Sequence, residues 1–195
     1  TPEHVILYNR RLGFIPAHNE SDVDFDELVE NSQPEKYVEL KSDFPAYILY
    51  TSGVKGNARG AVYNTGDYAV ALKEVMSNII KCEPDETLFT AFDKGGGISH
   101  SFMILAPMIN RSPSVIYEGS STRTPTPGSY WKLVQENQVK VLLTPHINLR
   151  KIMDADPEGK FLERYSLNSL TRIVCSGEDS GKDIIDWLKD KTSVN

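Results

Sequence analysis

Cysteine is scarce in this chain: Cys82 and Cys175 are the only two among 195 residues. They lie far apart, with no C-x-x-C or Cys/His spacing around them. That excludes a disulfide framework and the usual zinc-ligand patterns, and points to reduced, buried thiols in an intracellular protein. No apolar run approaches the length of a membrane span. The opening Thr-Pro-Glu-His has neither the basic start nor the apolar stretch of a signal peptide. It also lacks an initiator Met, so the chain is expected to begin inside a longer protein. Cationic charge is outweighed, with 21 Lys and Arg against 27 Asp and Glu, a net charge of −6 and a pI near 5.3. Such a balance argues against nucleic acid as the main partner. It does not exclude a nucleotide, for which a few placed donors suffice. The phosphate signature G-x-x-x-x-G-K-[ST] is absent, as are the dinucleotide fingerprint G-x-G-x-x-G and the nucleophile elbow G-x-S-x-G. No repeat and no low-complexity tract is present. What remains is an ordinary globular composition, 39% hydrophobic and 25% charged. The length allows one domain or a large piece of one.

The apolar pattern alternates between short β-like runs and helical spacing. Strands are expected at His4–Tyr8, Tyr47–Thr51, Ala61–Tyr63, Thr87–Phe92, Ser114–Tyr117, Val139–Leu143 and Leu170–Cys175. Helices are expected at Asp24–Asn31, Gly66–Lys81, Ser99–Ile109, Tyr130–Gln138, Asn148–Asp154 and Lys182–Lys191. In Gly66–Lys81, Tyr68, Leu72, Val75, Met76 and Ile79 share one face. Polar connectors fill Asn9–Ser21 and Gln33–Phe44, and a Ser/Thr/Pro loop fills Gly119–Gly128. The alternation predicts an α/β fold with a largely parallel sheet flanked by helices. Ligands of such sheets sit at the carboxyl ends of the strands. Three loops of interest follow strands, after Tyr50, after Phe92 and after Cys175.

The first of these loops carries the strongest chemical signal. The run Tyr47-Ile48-Leu49-Tyr50 stops at Thr51-Ser52-Gly53, and Val54-Lys55-Gly56-Asn57-Ala58-Arg59-Gly60 follows. Glycines let a backbone approach an anion, hydroxyls and N–H groups donate to it, and cations neutralise it. A Gly-rich turn in an ordinary hairpin or βα loop would read the same way. Elsewhere, His100 suits either a ligand contact or a hydrogen-bonded structural histidine at a helix start. His146 reads as structural. Asp93 either orients the next loop or is a solvated carboxylate. Trp131 and Trp187 read as core, and Asp22, Asp24, Asp26, Glu27 and Glu30 as a solvated face. No metal site is indicated.

The whole chain resembles a central piece of an AMP-forming short-chain acyl-CoA synthetase, of the acetyl-CoA or propionyl-CoA synthetase kind. Several segments carry the resemblance in the family's order. Ile6-Leu7-Tyr8-Asn9-Arg10 is similar to the strand before the family's acidic linker, and Tyr47–Gly60 to its phosphate loop T-S-G-T-T-G-x-P-K-G. Phe92-Asp93 with His100-Ser101-Phe102 resembles D-x-G-W-x-x-G-H-S-Y. Val115-Ile116-Tyr117-Glu118-Gly119 resembles V-L-Y-E-G. Asp156-Pro157-Glu158-Gly159-Lys160 and Tyr165-Ser166-Leu167-Asn168-Ser169-Leu170 resemble D-P-E-G-K and Y-D-L-S-S-L, closest to propionyl-CoA synthetases. Ser176-Gly177-Glu178 resembles the pair that meets adenine.

The resemblance implies that residues 1–195 are part of the large N-terminal, AMP-binding domain, with the C-terminal lid domain absent. The implied substrates and cofactors are ATP with Mg2+, a short carboxylate such as propionate or acetate, and coenzyme A, with no nucleic acid and no membrane span. The implied compartment is the cytoplasm or the mitochondrial matrix. It implies Thr51, Ser52, Gly53, Gly56, Arg59 and Gly60 around the ATP phosphates, and Ser176, Gly177 and Glu178 at the adenine. Gly96, Gly97, Ile98 and His100 would line the acyl pocket. No catalytic residue is assigned within these residues, because the family's later motifs lie past Asn195. The sequence departs from the pattern at Val54 and Lys55 (Thr/Ser), Asn57 (a basic residue), Ala58 (Pro) and Arg59 (Lys). Gly96 replaces Trp, Asp179 replaces Pro, and Pro145-His146 stand where T-A-P-T is usual. A degenerate homologue acting as a nucleotide-binding or interaction module is the alternative.

Overall fold

The computed structural model describes residues 3–10, 12, 13, 19, 21–51, 56–177, 181–192 and 194. The chain divides into two compact units, residues 1–39 and 40–195.

In the first unit, β1 (Val5–Leu7) pairs in parallel with β2 (Asp22–Asp24), and α1 (Phe25–Asn31) follows at once. The β2 strand escapes sequence reading because its acidic ends look like loop. Asp24 ends it and caps α1, its carboxylate accepting from the N–H groups of Asp26 and Glu27 at 2.8 and 3.1 Å. Asp26 and Glu27 in the first turn also suit the positive end of the helix dipole.

The second unit opens with a hairpin of β3 (Pro45–Thr51) and β4 (Arg59–Asn64), antiparallel, with Tyr50 opposite Gly60 and Thr51 opposite Arg59. The Gly-rich segment thus connects two antiparallel strands. The strand expected at Ala61–Tyr63 is longer because the hairpin ladder recruits Arg59 and Gly60. Then come α2 (Thr65–Glu74), continued by a wider π turn at Val75–Ile80, and β5 (Leu88–Thr90). The next helix is α3 (Gly97–Ser99), a π segment His100–Leu105, and α4 (Ala106–Asn110). It is followed by β6 (Ser114–Val115), α5 (Ser129–Glu136), β7 (Val141–Pro145), α6 (His146–Ala155), β8 (Arg172–Ser176) and α7 (Lys182–Lys191).

Strands β5 to β8 form one parallel sheet in the order β6-β5-β7-β8. Helices cover both faces, so the central strands read as unbroken apolar runs. Alternate side chains of those runs feed two cores. Phe89 and Leu142 join Tyr130, Trp131, Val134, Leu149, Ile152 and Ile184 of α5, α6 and α7. Leu88, Val141 and Leu143 join Leu72, Met76, Ile80 and Ala106 on the opposite face. Trp131 is fully buried, as expected, whereas Trp187 is half-buried at the core's margin and donates to the Pro157 carbonyl at 2.9 Å. One of the two thiols departs from expectation. Cys82 is buried, and burial pushes its thiol up, but Cys175 is exposed because it lies near the end of the edge strand β8. Among the described residues no helix is long and apolar enough to cross a membrane.

Candidate active site at the carboxyl ends of the strands

The connection leaving β5 runs to β6 on one side, and the one leaving β7 runs to β8 on the other. Neighbouring strands whose connections diverge leave a crevice between their carboxyl ends. A cavity of about 250 Å³ lies there. It is lined by Asp93 and Lys94 after β5, Tyr117 and Gly119 after β6, Tyr130 of α5 and Asn148 of α6. The Asn148 amide donates to the Ala91 carbonyl at 2.9 Å and to the Tyr130 hydroxyl at 3.1 Å. These bonds tie the end of β5 to the first turn of α6. Burial raises the Tyr130 phenol above its ordinary range, so it stays neutral and available as a hydrogen-bond group. Sequence reading missed Tyr130, Asn148 and Lys94. A polar residue one position before the buried Leu149 was the available signal for Asn148, but only the fold aims it at β5.

The acyl-pocket candidates Gly96, Gly97, Ile98 and His100 form the turn into α3, beside Asp93. The Asp93 carbonyl accepts from the Gly96 N–H at 3.2 Å and from the buried Ser99 hydroxyl. A Cβ on Gly97 would lie 3.0 Å from Leu49 Cδ2, so the hairpin packs directly on this turn. Ile98 and His100 are exposed. Lys94 and Gly95 form a turn, and the helix begins earlier than the expected Ser99 because Gly97 is already inside its first turn.

Of the phosphate candidates, Ser52 and Gly53 lie outside the described residues. Thr51 and Arg59 face each other across the last pair of the hairpin, both exposed. Gly56 has φ +77° with open space around it, a backbone that L side chains resist. Gly60 is needed for room, since a Cβ there would sit 2.9 Å from Ile48 Cγ2. Of the adenine candidates, Ser176 pairs with Pro145 and Gly177 turns away at φ +113°. Glu178 lies outside the described residues. A Cβ on Gly177 would fall 3.3 Å from His146 Nδ1, a buried nitrogen without a hydrogen-bond partner among the described residues. The fold therefore joins Gly97 to the hairpin and Gly177 to α6. The ends of β5 and β8 stay one strand apart, with β7 between them.

Residues 5–194 match the family described as AMP-binding enzyme. The chain belongs to the AMP-binding enzyme family. Within it, acyl-CoA synthetase short-chain family member 3, mitochondrial, of Homo sapiens is 33% identical over 189 residues, covering 96% of this chain and 28% of that protein. Acyl-CoA synthetase short-chain family member B, mitochondrial, of Dictyostelium discoideum is 33% identical over 199 residues, covering 98% and 29%. Propionate–CoA ligase of Salmonella typhimurium is 29% identical over 197 residues, covering 99% and 31%. The chain thus spans about three-tenths of the length of these AMP-binding enzymes.

Proposed function

We propose that the protein containing this chain is an ATP-dependent, AMP-forming ligase that joins a short carboxylic acid, propionate or acetate, to coenzyme A. One observation carries this reading: nearly the whole chain aligns with relatives named short-chain acyl-CoA synthetase and propionate–CoA ligase. The reaction has two halves. A carboxylate oxygen attacks the α-phosphorus of ATP, and the bond to the bridging oxygen of pyrophosphate breaks, leaving acyl-AMP. The thiol of coenzyme A then attacks the acyl carbon, loses its proton and expels AMP.

An anion meets an anion in the first half, so phosphate charge must be offset before they approach. Mg2+ arrives with ATP as part of the substrate. Thr51 and Arg59 supply a hydroxyl and a cation at the hairpin mouth, and Gly56 keeps the backbone clear of side chains. Ser52, Gly53 and Gly60 complete the phosphate set, and Ser176, Gly177 and Glu178 take the adenine. Gly96, Gly97, Ile98 and His100 receive the acid beside the Asp93 turn. We place the activity in the cytoplasm or the mitochondrial matrix; two of the relatives carry "mitochondrial" in their names.

The test is ATP–pyrophosphate exchange by the full-length protein across a panel of acids. The reading expects exchange that depends on a short acid. Arg59→Ala should lower the exchange rate about tenfold or more while acid affinity changes less, as for a lost charge-assisted contact to phosphate. Exchange with none of the acids sinks the ligase reading. It would favour the binding-module alternative, which the substitutions at Val54, Lys55, Ala58 and Gly96 motivate.

A further inference from the structure

We propose that Tyr68 and Ser101 are positioning residues for the acid-side turn, linking the Gly-rich hairpin to Gly97 through a line of hydroxyl groups. The inference rests on the ligase reading for what that turn holds. Tyr68 lies in α2, and Ser101 lies in the π segment that continues α3. Their hydroxyl oxygens are 2.5 Å apart. Ser101 Oγ in turn donates to the Gly97 carbonyl at 2.7 Å. With that proton committed, the Tyr68 hydroxyl is the donor to Ser101. The aromatic ring of Tyr68 is itself fixed by the hairpin. It meets Tyr47 of β3 and Tyr63 of β4 edge-on at 5.2 and 5.4 Å, and those two stack on each other at 4.9 Å.

Gly97 is thereby held from two directions. Its carbonyl is held through Ser101 and Tyr68, and its Cα packs on Leu49 of β3. Tyr47 and Leu49 precede Thr51 on the strand that ends in the Gly-rich loop. Ser101 is buried, so an unmade bond there is not replaced by water. A serine bonding back to the carbonyl four residues earlier competes with the helix's own ladder and loosens it. Ser101 lies within a π segment, and such segments recur at functional sites. The phenol thus sets the exact tilt of the Gly96–Ile98 turn without touching substrate.

The test uses the full-length protein with Tyr68→Phe, Ser101→Ala, the double variant and Ser101→Thr. ATP–pyrophosphate exchange is followed as acid and ATP are varied separately. The expected result is a KM for the acid raised about five- to tenfold in each single variant, the size of one buried hydrogen bond. The double variant should be no worse than the weaker single one, because both changes cut the same line. The KM for ATP should stay within about twofold, and Ser101→Thr, which keeps the hydroxyl, should restore the acid KM. Unchanged acid KM, equal losses for ATP and acid, or additive losses would overturn the proposal. Should Ser101→Ala fail to fold, the isosteric Tyr68→Phe decides. If the wild-type protein exchanges pyrophosphate with no acid, the ligase reading is what has failed. The link is then judged by hydrogen exchange: Tyr68→Phe must speed the amides of residues 97–101 and leave α5 unchanged, and equal protection at 97–101 overturns it.

Discussion

Glycines that look alike in sequence are glycines here for separate reasons. Gly56 needs a positive φ and has free space, so Gly56→Ala should cost about 1 kcal/mol through backbone strain alone. Gly97 has an ordinary backbone but lies against Leu49. Gly97→Ala should destabilise the second unit by about 1–3 kcal/mol, and Leu49→Ala in the same chain should return part of that loss. Denaturant unfolding of the four proteins checks both expectations. A charged pair gives a further prediction. Arg150 of α6 binds Asp183 of α7 through both carboxylate oxygens and, chiefly by that hydrogen bonding, holds the Asp183 carboxyl down at about 2. A lowered carboxylate pKa stabilises the fold above the ordinary value of 3.8, and that gain is lost as pH falls towards 2. Asp183→Asn should therefore lower the unfolding midpoint at pH 6, with the difference from wild type shrinking between pH 4 and pH 2. The candidate loop Thr51–Gly60 could be named from sequence because glycines, hydroxyls and cations are local. The partnership of Asn148 with Ala91 was not, since the two are far apart in the chain and meet only across β5 and α6.

Among the elements, the segment Asp156-Pro157-Glu158-Gly159-Lys160 shows how a motif read for ancestry turns out to be a built corner. Asp156 is buried, and its carboxylate accepts from the N–H groups of Phe161 and Leu162 at 2.8 and 3.3 Å. Gly159 takes φ +74°, and the Pro157 carbonyl receives the Trp187 indole. Asp156→Ala leaves two amides without this acceptor and should cost about 1–3 kcal/mol in denaturant unfolding, with Asp156→Asn recovering part. Helix existence followed from spacing, because an amphipathic stripe reports its own period. Helix interior did not. Both Val75–Ile80 and His100–Leu105 widen into π turns that no periodicity announces, and α6 begins at His146, two residues before the expected start. Pro145 ends β7 in extended backbone, which lets the helix start at the next residue.

For the molecule as a whole, the sheet is the organising object. Leu142 is fully buried on one face between β5 and β8 and belongs to the core built with α5, α6 and α7. Leu142→Ala should lower stability by about 2–5 kcal/mol and should loosen the ends of β5 and β7 that frame the cavity. Protection of the amides of residues 88–91 and 141–144 in hydrogen exchange checks this. The sequence by itself determined the α/β class, the parallel core, the family and the candidate loops, because composition, apolar period and motif order are properties of the chain read in line. The tertiary structure alone decided the strand order β6-β5-β7-β8, and hence which strand ends diverge to open a cavity. It alone paired the strands on either side of the Gly-rich segment antiparallel and set that hairpin on Gly97. These choices depend on which apolar faces bury one another across long separations, and no local pattern encodes that pairing.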